Sequence, residues 1–593
     1  METVTRKRAI LIAMMFVALA SGVLFKLYSI QIIRSEDFRI RAQDQQNKTT
    51  TEIGQRGSIY DRNGHELALN IEHHKLYVYP SRVEDIEDTA RKLSPIMGLE
   101  AGEIARRIRK AGRRKVIATT LSSVQADQIR SSGVIGRGSP AFELEKLSRR
   151  SYPGGSLAAH VVGYAGWDSE RQVGREGVEL KLDEILQGEP ITRFEARDAL
   201  GKGFVLQTNP QEDPHQDVYL TIDAVLQHIV ERELKQVVRE QRAEAASAVL
   251  MEPATGKILA MANWPTANLE SYSKYRSNSK RNRTVVDRYE PGSTFKIFTA
   301  AALLDQGLVQ PGQRYYCENG DYQVRNQTFR DHKKFGTLSF REVLEHSSNI
   351  GTIKASAALD GDRFMEYVKA LGFGRKTGVL LPGETNGRLP VMKTAPEVHK
   401  ASLSIGYGIG VTPLQLTTAV AAVANQGILV PPTLVEGSRT PDGDWHGRPA
   451  TKPRRVIKAE TARTLTNLLE GVVLRGTGRA ARVPGYRIAG KTGTTRKYVE
   501  GAGYDSPGGK QYFASFAGFG PVRDPQLALL VVVDNPRNKS IYGGEIAAPA
   551  FSRIMSDAFR HLRIPPDQES MVMLAPGPAG ATPAAFPGGE AGQ

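Results

Sequence analysis

Glu290-Pro291-Gly292-Ser293-Thr294-Phe295-Lys296-Ile297-Phe298 reads as a break in the chain followed at once by a helix. Pro291 and Gly292 halt what precedes. Phe295, Ile297, Phe298, Ala301 and Leu304 then form an apolar stripe at helical spacing, which ends at Gly307. Ser293 and Lys296 stand three apart at the start of that helix and so share a face. A serine hydroxyl is a weak nucleophile until a neighbour takes its proton. A lysine amine does this only when neutral, and burial or a nearby cation lowers its pKa. The positive end of the helix favours negative charge growing on Ser293.

Ser-x-x-Lys alone is weak, since a chain of this length holds about one or two by chance. Two more occur, Ser271–Lys274 and Ser277–Lys280, both in a polar stretch with no apolar helix behind them. Ser347-Ser348-Asn349 and Lys491-Thr492-Gly493-Thr494 follow Ser293 in order. On its own the Ser-x-Asn triplet could be a helix cap. Lys-Thr-Gly also occurs at Lys376-Thr377-Gly378, but there it runs into Val379-Leu380-Leu381-Pro382, which reads as structural. The triplet at 491 lies in a strand-like stretch with small residues. Gly493 there is expected to let a substrate backbone approach. The hydroxyls and ammonium suit a carboxylate. Lys491 is expected to be the cation that lowers the pKa of Lys296.

Around these motifs the pattern is mixed. Val218 to Asp223 alternates like a strand, and Asp223 can cap a helix carrying Leu226, Ile229, Val230 and Leu234 on one face. Ser247 to Met251 and Lys257 to Met261 read as a hairpin across Pro253-Ala254-Thr255-Gly256. Gln511 to Phe519 and Gln526 to Asp534 read as strands, and Ala548 to Leu562 as a closing helix. Strands, many helices, more strands and a last helix predict an α+β fold, an antiparallel sheet flanked by helices. Nearer the N-terminus, Asp61-Arg62-Asn63-Gly64 is a turn signal, residues 85 to 132 have helical periodicity, and Gly174-Arg175-Glu176-Gly177 opens a short helix. After Ile564-Pro565-Pro566 the composition turns to Pro, Gly and Ala, which predicts a disordered tail.

Arg6-Lys7-Arg8 precedes an apolar run of seventeen residues, Ala9 to Phe25. As a helix this spans about 26 Å, and Lys26 to Ile30 can extend it across a hydrocarbon core of about 30 Å. The positive cluster predicts an N-terminus inside and the remaining chain outside. Ala18-Leu19-Ala20 resembles a signal-peptide cleavage site, but apolar residues continue past it, which favours an uncleaved anchor. Residues 35 to 55 read as a polar membrane-proximal helix or linker.

The 593 residues carry a net charge of +16. The basic residues are scattered and no nucleic-acid motif accompanies them, so an anionic membrane surface or wall polymer is the expected counterpart, not nucleic acid. Cys317 is the single cysteine, so no internal disulfide holds the fold. There is no His-Glu-x-x-His and no Cys/His cluster, and neither metal nor cofactor is expected.

The three motifs in this order resemble those of serine β-lactamases and penicillin-binding proteins. Ser348 in place of Asp is a departure typical of the transpeptidases. Arg56-Gly57-Ser58-Ile59-Tyr60-Asp61-Arg62-Asn63-Gly64, Gly177-Val178-Glu179, Leu220-Thr221-Ile222-Asp223 and Gly408-Ile409-Gly410-Val411-Thr412-Pro413 resemble class B penicillin-binding proteins. Tyr542-Gly543-Gly544 with Ala548-Pro549 is most similar to the division-specific member, with the elongation type as the alternative.

The resemblance implies an anchor over residues 1–34 and an elongated N-terminal pedestal, or dimerisation-type domain, over 35–215. It implies a penicillin-binding transpeptidase domain over 216–565 and a tail over 566–593. It implies a cytoplasmic (inner) membrane protein with its catalytic domain in the periplasm. The substrate would be the D-alanyl-D-alanine end of a stem peptide on lipid-linked or nascent peptidoglycan, with β-lactams as mimics. A membrane glycosyltransferase and other division proteins would be partners, since no glycan-polymerising domain fits the N-terminal half. Ser293 would be the nucleophile, Lys296 the base and Ser347 the proton relay. Asn349 would hold the substrate amide and Lys296. Lys491 would tune the field, and Thr492 and Thr494 would bind the terminal carboxylate. The N–H groups of Ser293 and Thr494 would form the oxyanion hole. A β-lactamase uses the same motifs but needs neither anchor nor N-terminal unit. A penicillin sensor or a division scaffold is the alternative of another class.

Overall fold

A computed structural model describes residues 2–36, 47–52, 56–110, 112–135, 141–168, 171–188, 191–197, 203–208, 215–391, 396–449, 452–498, 501, 503–504 and 509–567. The expected disordered tail beyond residue 567 and most of the expected 35–55 linker therefore lie outside the described residues.

Five strands form the central antiparallel sheet: β1 (Ala245–Met251), β2 (Ile258–Trp264), β3 (Ala489–Arg496), β4 (Tyr512–Gly520) and β5 (Leu527–Asp534), in the spatial order β2-β1-β5-β4-β3. The central strand β5 reads Leu-Ala-Leu-Leu-Val-Val-Val-Asp and is buried along its whole length. Its period-two alternation feeds two cores. Leu527, Leu529, Val531 and Val533 face α1 (Ala224–Gln241) and the closing helix Gly543–His561. Ala528, Leu530 and Val532 face the other side, where Lys296–Asp305, Pro413–Ala424 and Ala459–Leu474 pack. A sheet with both faces covered needs this near-continuous apolar run.

The expected strands and hairpin are present, with ends shifted by no more than three residues. The closing helix differs more. It begins at Gly543, ahead of the expected Ala548. Gly543-Gly544 reads as a breaker in sequence, yet here the pair lets the helix start press against backbone: a Cβ on Gly543 would lie 2.2 Å from Ser515 O and 2.3 Å from Gly493 O. Residues 85 to 132 are not helical throughout, because Lys115–Leu121 is a strand between helices Ala101–Arg109 and Ser123–Ser131. Its β-branched Val116, Ile117, Thr119 and Thr120 suit a pleated surface better than a helix.

Asp223 caps α1 as expected, accepting from Val225 N at 3.0 Å and Leu226 N at 3.1 Å. The Asp61–Gly64 turn docks on that cap: Asp61 Oδ2 accepts from Ala224 N at 3.0 Å and Asn63 Nδ2 donates to Asp223 Oδ2 at 3.1 Å. One seven-stranded sheet also crosses the expected boundary at 215/216. In it Asp217–Leu220 pairs parallel with Ile59–Tyr60 and antiparallel with Val435–Arg439.

The Arg56 and Glu179 motifs meet in one buried network. Glu179 accepts from Arg56 Nε at 2.7 Å and from Arg150 Nε at 2.7 Å, and none of its side chain is exposed. At the N-terminus, helix Glu2–Tyr28 runs on into a wider turn, Ser29–Ile33. Among the described residues Arg6–Ile33 is the one segment long and apolar enough to cross a membrane, and none of it is buried.

Candidate active site

The first motif starts on a single tight turn, Gly292–Phe295, which leads into the helix Lys296–Asp305. Gly292 adopts φ +54°, and a Cβ there would lie 2.1 Å from Thr495 Oγ1. Only glycine gives both that conformation and that approach to β3. The turn is tied down by Gly292 N donating to Gly406 O at 3.1 Å and by Thr294 Oγ1 donating to Pro291 O at 2.8 Å. Ser293 lines an open cleft of about 540 Å³ together with Ser347, Asn349, Thr492, Thr494 and Tyr542.

Lys296 is fully buried, and its Nζ donates to Ser347 O at 2.7 Å and Asn349 Oδ1 at 2.8 Å, with Ser347 Oγ at 3.4 Å. Lys491, also fully buried, donates from Nζ to Ser347 Oγ at 2.8 Å and to Thr492 O at 3.3 Å. One hydroxyl thus lies between two lysines. Burial pushes Lys296 down to about 7, an effect partly offset by the Asp331 carboxylate. Burial, then repulsion from Lys296, holds Lys491 well below the ordinary lysine value. Burial is the largest cause for both amines, and a charge on either disfavours a charge on the other.

Ser347 has φ +58°, a left-handed backbone for a non-glycine residue. Such conformations cluster where function holds them. The helix cap belongs to its neighbour: Ser348 Oγ accepts from Gly351 N at 2.9 Å and donates to Asp331 Oδ2 at 2.7 Å. The cap reading of Ser-x-Asn is thus met by Ser348, which leaves the Ser347 hydroxyl to the lysines.

Among the described residues β3 lies at the edge of the sheet, paired with β4 alone. Thr492 Oγ1 lies 2.8 Å from Thr477 Oγ1, and Thr494 Oγ1 accepts from Gly543 N at 3.0 Å. Gly493 sits between them, but the close approach it permits is internal. A Cβ there would lie 2.4 Å from Ser515 Oγ and 2.9 Å from Thr294 Cγ2. The missing side chain lets the nucleophile turn pack on β3.

All of the expected site residues are brought to this cleft or directly behind it. The competing matches are elsewhere. Ser277 and Lys280 line a separate cavity with Tyr272 and Gly383, and Thr377 closes a turn on Glu384 through its N–H and hydroxyl. Sequence reasoning did not find Asp331, His332, Thr477 or Glu545. They come from loops and a helix start with no periodicity to mark them; the fold carries His332, Thr477 and Glu545 to the cleft and Asp331 to the Ser348–Asn349 turn behind it.

The description "penicillin binding protein transpeptidase domain" matches residues 246–556, which hold all three motifs. The chain belongs to the penicillin-binding protein family. Residues 51–220 match the penicillin-binding protein dimerisation domain, and the pair makes it a class B member of the kind the resemblance implied. It is 32% identical to stage V sporulation protein D of Bacillus subtilis over 579 residues, covering 95% of this chain and 86% of that one. It is 31% identical to the peptidoglycan D,D-transpeptidase FtsI of Escherichia coli K12 over 547 residues, covering 91% and 89%. The structure of penicillin binding protein 3 from Mycobacterium tuberculosis with aztreonam aligns with a TM-score of 0.66 at 28% identity, covering 87% of this chain and 98% of that one.

Proposed function

We infer that this class B penicillin-binding protein is a peptidoglycan D,D-transpeptidase of septal wall synthesis and a target of β-lactams. The observation that carries the reading is the Ser347 hydroxyl held between buried Lys296 and Lys491 at the foot of a cleft that also exposes Ser293. The relatives FtsI, named a peptidoglycan D,D-transpeptidase, and penicillin binding protein 3, solved with aztreonam and ampicillin, support it.

In acylation, Ser293 Oγ attacks the carbonyl of the penultimate D-alanine and its proton passes to Lys296. A neutral amine has two hydrogens. Donating them to Ser347 O and Asn349 Oδ1 leaves the lone pair to act as base. The C–N bond then breaks, and D-alanine leaves with a proton relayed through Ser347 Oγ. An amine from a second stem peptide attacks the acyl-enzyme, and the proton path runs in reverse. The oxyanion is held by the N–H groups of Ser293 and Thr494. Thr494 O faces the nucleophile turn, 3.5 Å from where a Gly292 Cβ would stand. In a strand the N–H shares the side of its own C=O, so the Thr494 N–H also faces the free edge. Thr492 and Thr494 offer hydroxyls to the terminal carboxylate.

Arg6-Lys7-Arg8 at the head of the apolar helix supports an N-terminus inside and a catalytic domain in the periplasm. A glycosyltransferase and other division proteins in the same membrane would supply glycan strands.

The test is an acyl-D-alanyl-D-alanine peptide given with and without an amine acceptor. Released D-alanine and a new amide are expected, with slow β-lactam turnover. Rapid β-lactam hydrolysis without amide formation would overturn the reading in favour of a β-lactamase.

A further inference from the structure

Asp331 lies outside the three motifs, yet it grips the middle one. Its Oδ1 accepts from Asn349 N and, at 3.1 Å, from Ile350 N, while Oδ2 accepts from Ser348 Oγ at 2.7 Å. The neighbouring Arg330 O accepts from Asn349 Nδ2 at 2.8 Å. The pair Arg330-Asp331 therefore fixes Asn349 at both its backbone and its amide. What remains of Asn349, Oδ1, is the acceptor turned to Lys296 at 2.8 Å. The same carboxylate stands at the first turn of the helix Asn349–Ser356, where negative charge is favoured.

We propose that Asp331 is a positioning residue of the acylation step: its carboxylate holds the Ser347–Ile350 turn, and with it Asn349 Oδ1, in register with Lys296. The proposal rests on the transpeptidase reading above. Holding the turn has a backbone cost, since Ser347 sits at φ +58°. Three charge-assisted hydrogen bonds from one carboxylate are enough to offset such strain. Its charge matters because few groups face Lys296. These are Lys491, Asp331, the thiol of Cys317 and the exposed ring of His332, while Lys354 behind Cys317 is paired with Glu318. Asp331 is the one carboxylate of the set, and it works against the depression of Lys296. Removing its charge therefore favours the neutral amine, which moves the acid limb of the rate profile to lower pH. Loosening the turn lowers the plateau.

The experiment is the acylation rate of the full-length protein in detergent by a fluorescent penicillin, followed across pH. Asp331→Asn should lose about tenfold or more on the plateau, as expected for loss of a hydrogen bond to a charged group. Its acid limb should also move to lower pH. Asp331→Glu, which keeps the charge but misplaces it, should lose plateau rate with the limb unmoved. A lowered plateau with an unmoved limb in Asp331→Asn would mean a structural role only and overturn the proposal. So would an unchanged profile. If Asp331→Asn does not fold, a displaced limb in Asp331→Glu overturns it, and an unmoved limb with a lowered plateau supports it. A wild-type protein that is not acylated at any pH would instead remove the transpeptidase reading on which the proposal rests.

Discussion

Lys491 Nζ donates to Ser347 Oγ at 2.8 Å, joining residues 144 apart in sequence. The contact links the edge strand β3 to the turn before helix Asn349–Ser356 and puts the hydroxyl within reach of Lys296. Neither lysine can hold its charge easily in that burial, so an amine can serve as the base.

The pH dependence of acylation follows from Lys296. Its pKa is pushed down to about 7, and the neutral amine is the base. Below that pH the amine is protonated and the rate falls; above it the rate levels off. Lys296→Arg, which cannot lose its charge, should lower the rate by about 10²–10⁴ at every pH. Stopped-flow acylation checks both. An acid limb near the ordinary lysine value would contradict the assignment.

Ser347 separates activity from strain. Ser347→Ala and Ser347→Gly both remove the relay and should cut acylation by about 10²–10³. The glycine variant accepts φ +58° freely and should unfold with about 1 kcal/mol more stability than the alanine variant. Denaturant titration compares them. Equal stability would argue that the turn carries no strain.

Gly493→Ala should damage packing and not only binding. Its Cβ would lie 2.4 Å from Ser515 Oγ and 2.9 Å from Thr294 Cγ2, so β3 or the nucleophile turn must move. A cost of about 1–3 kcal/mol is expected for such overpacking. Thermal unfolding and acylation should fall together. A variant with unaltered melting and weaker substrate binding would return Gly493 to the substrate-facing role.

Glu179 holds the N-terminal unit from a distance. It is fully buried between Arg56 and Arg150, so Glu179→Ala leaves Arg150 without its carboxylate and Arg56 with Asp183 alone. Such a change costs about 3–5 kcal/mol. Unfolding of the full chain should report that loss, while penicillin acylation per folded molecule stays near wild type.

Much of this was legible before any coordinates. Long apolar stretches such as Leu527–Val533 and the Asp223 cap fixed elements by local physics, and the order of Ser293, Ser347 and Lys491 marked one site among competing matches. Boundaries set by contact were not legible. Gly543-Gly544 reads as a stop, and only its packing on Gly493 O and Ser515 O makes it a helix start. Asp331 sits in a polar loop with nothing to distinguish it from other aspartates, and its role exists only through Ser348 and Asn349. How deeply Lys296 and Lys491 are buried, which is the main cause of their lowered pKa values, is set by the fold and is not stated by sequence.

The measurement that bears most directly on the account is the site of penicillin attachment. The protein is labelled with a fluorescent penicillin, digested and mapped by mass. The adduct is expected on the peptide carrying Ser293 and should vanish in Ser293→Ala. An adduct on Ser271 or Ser277, or none at all, would contradict it.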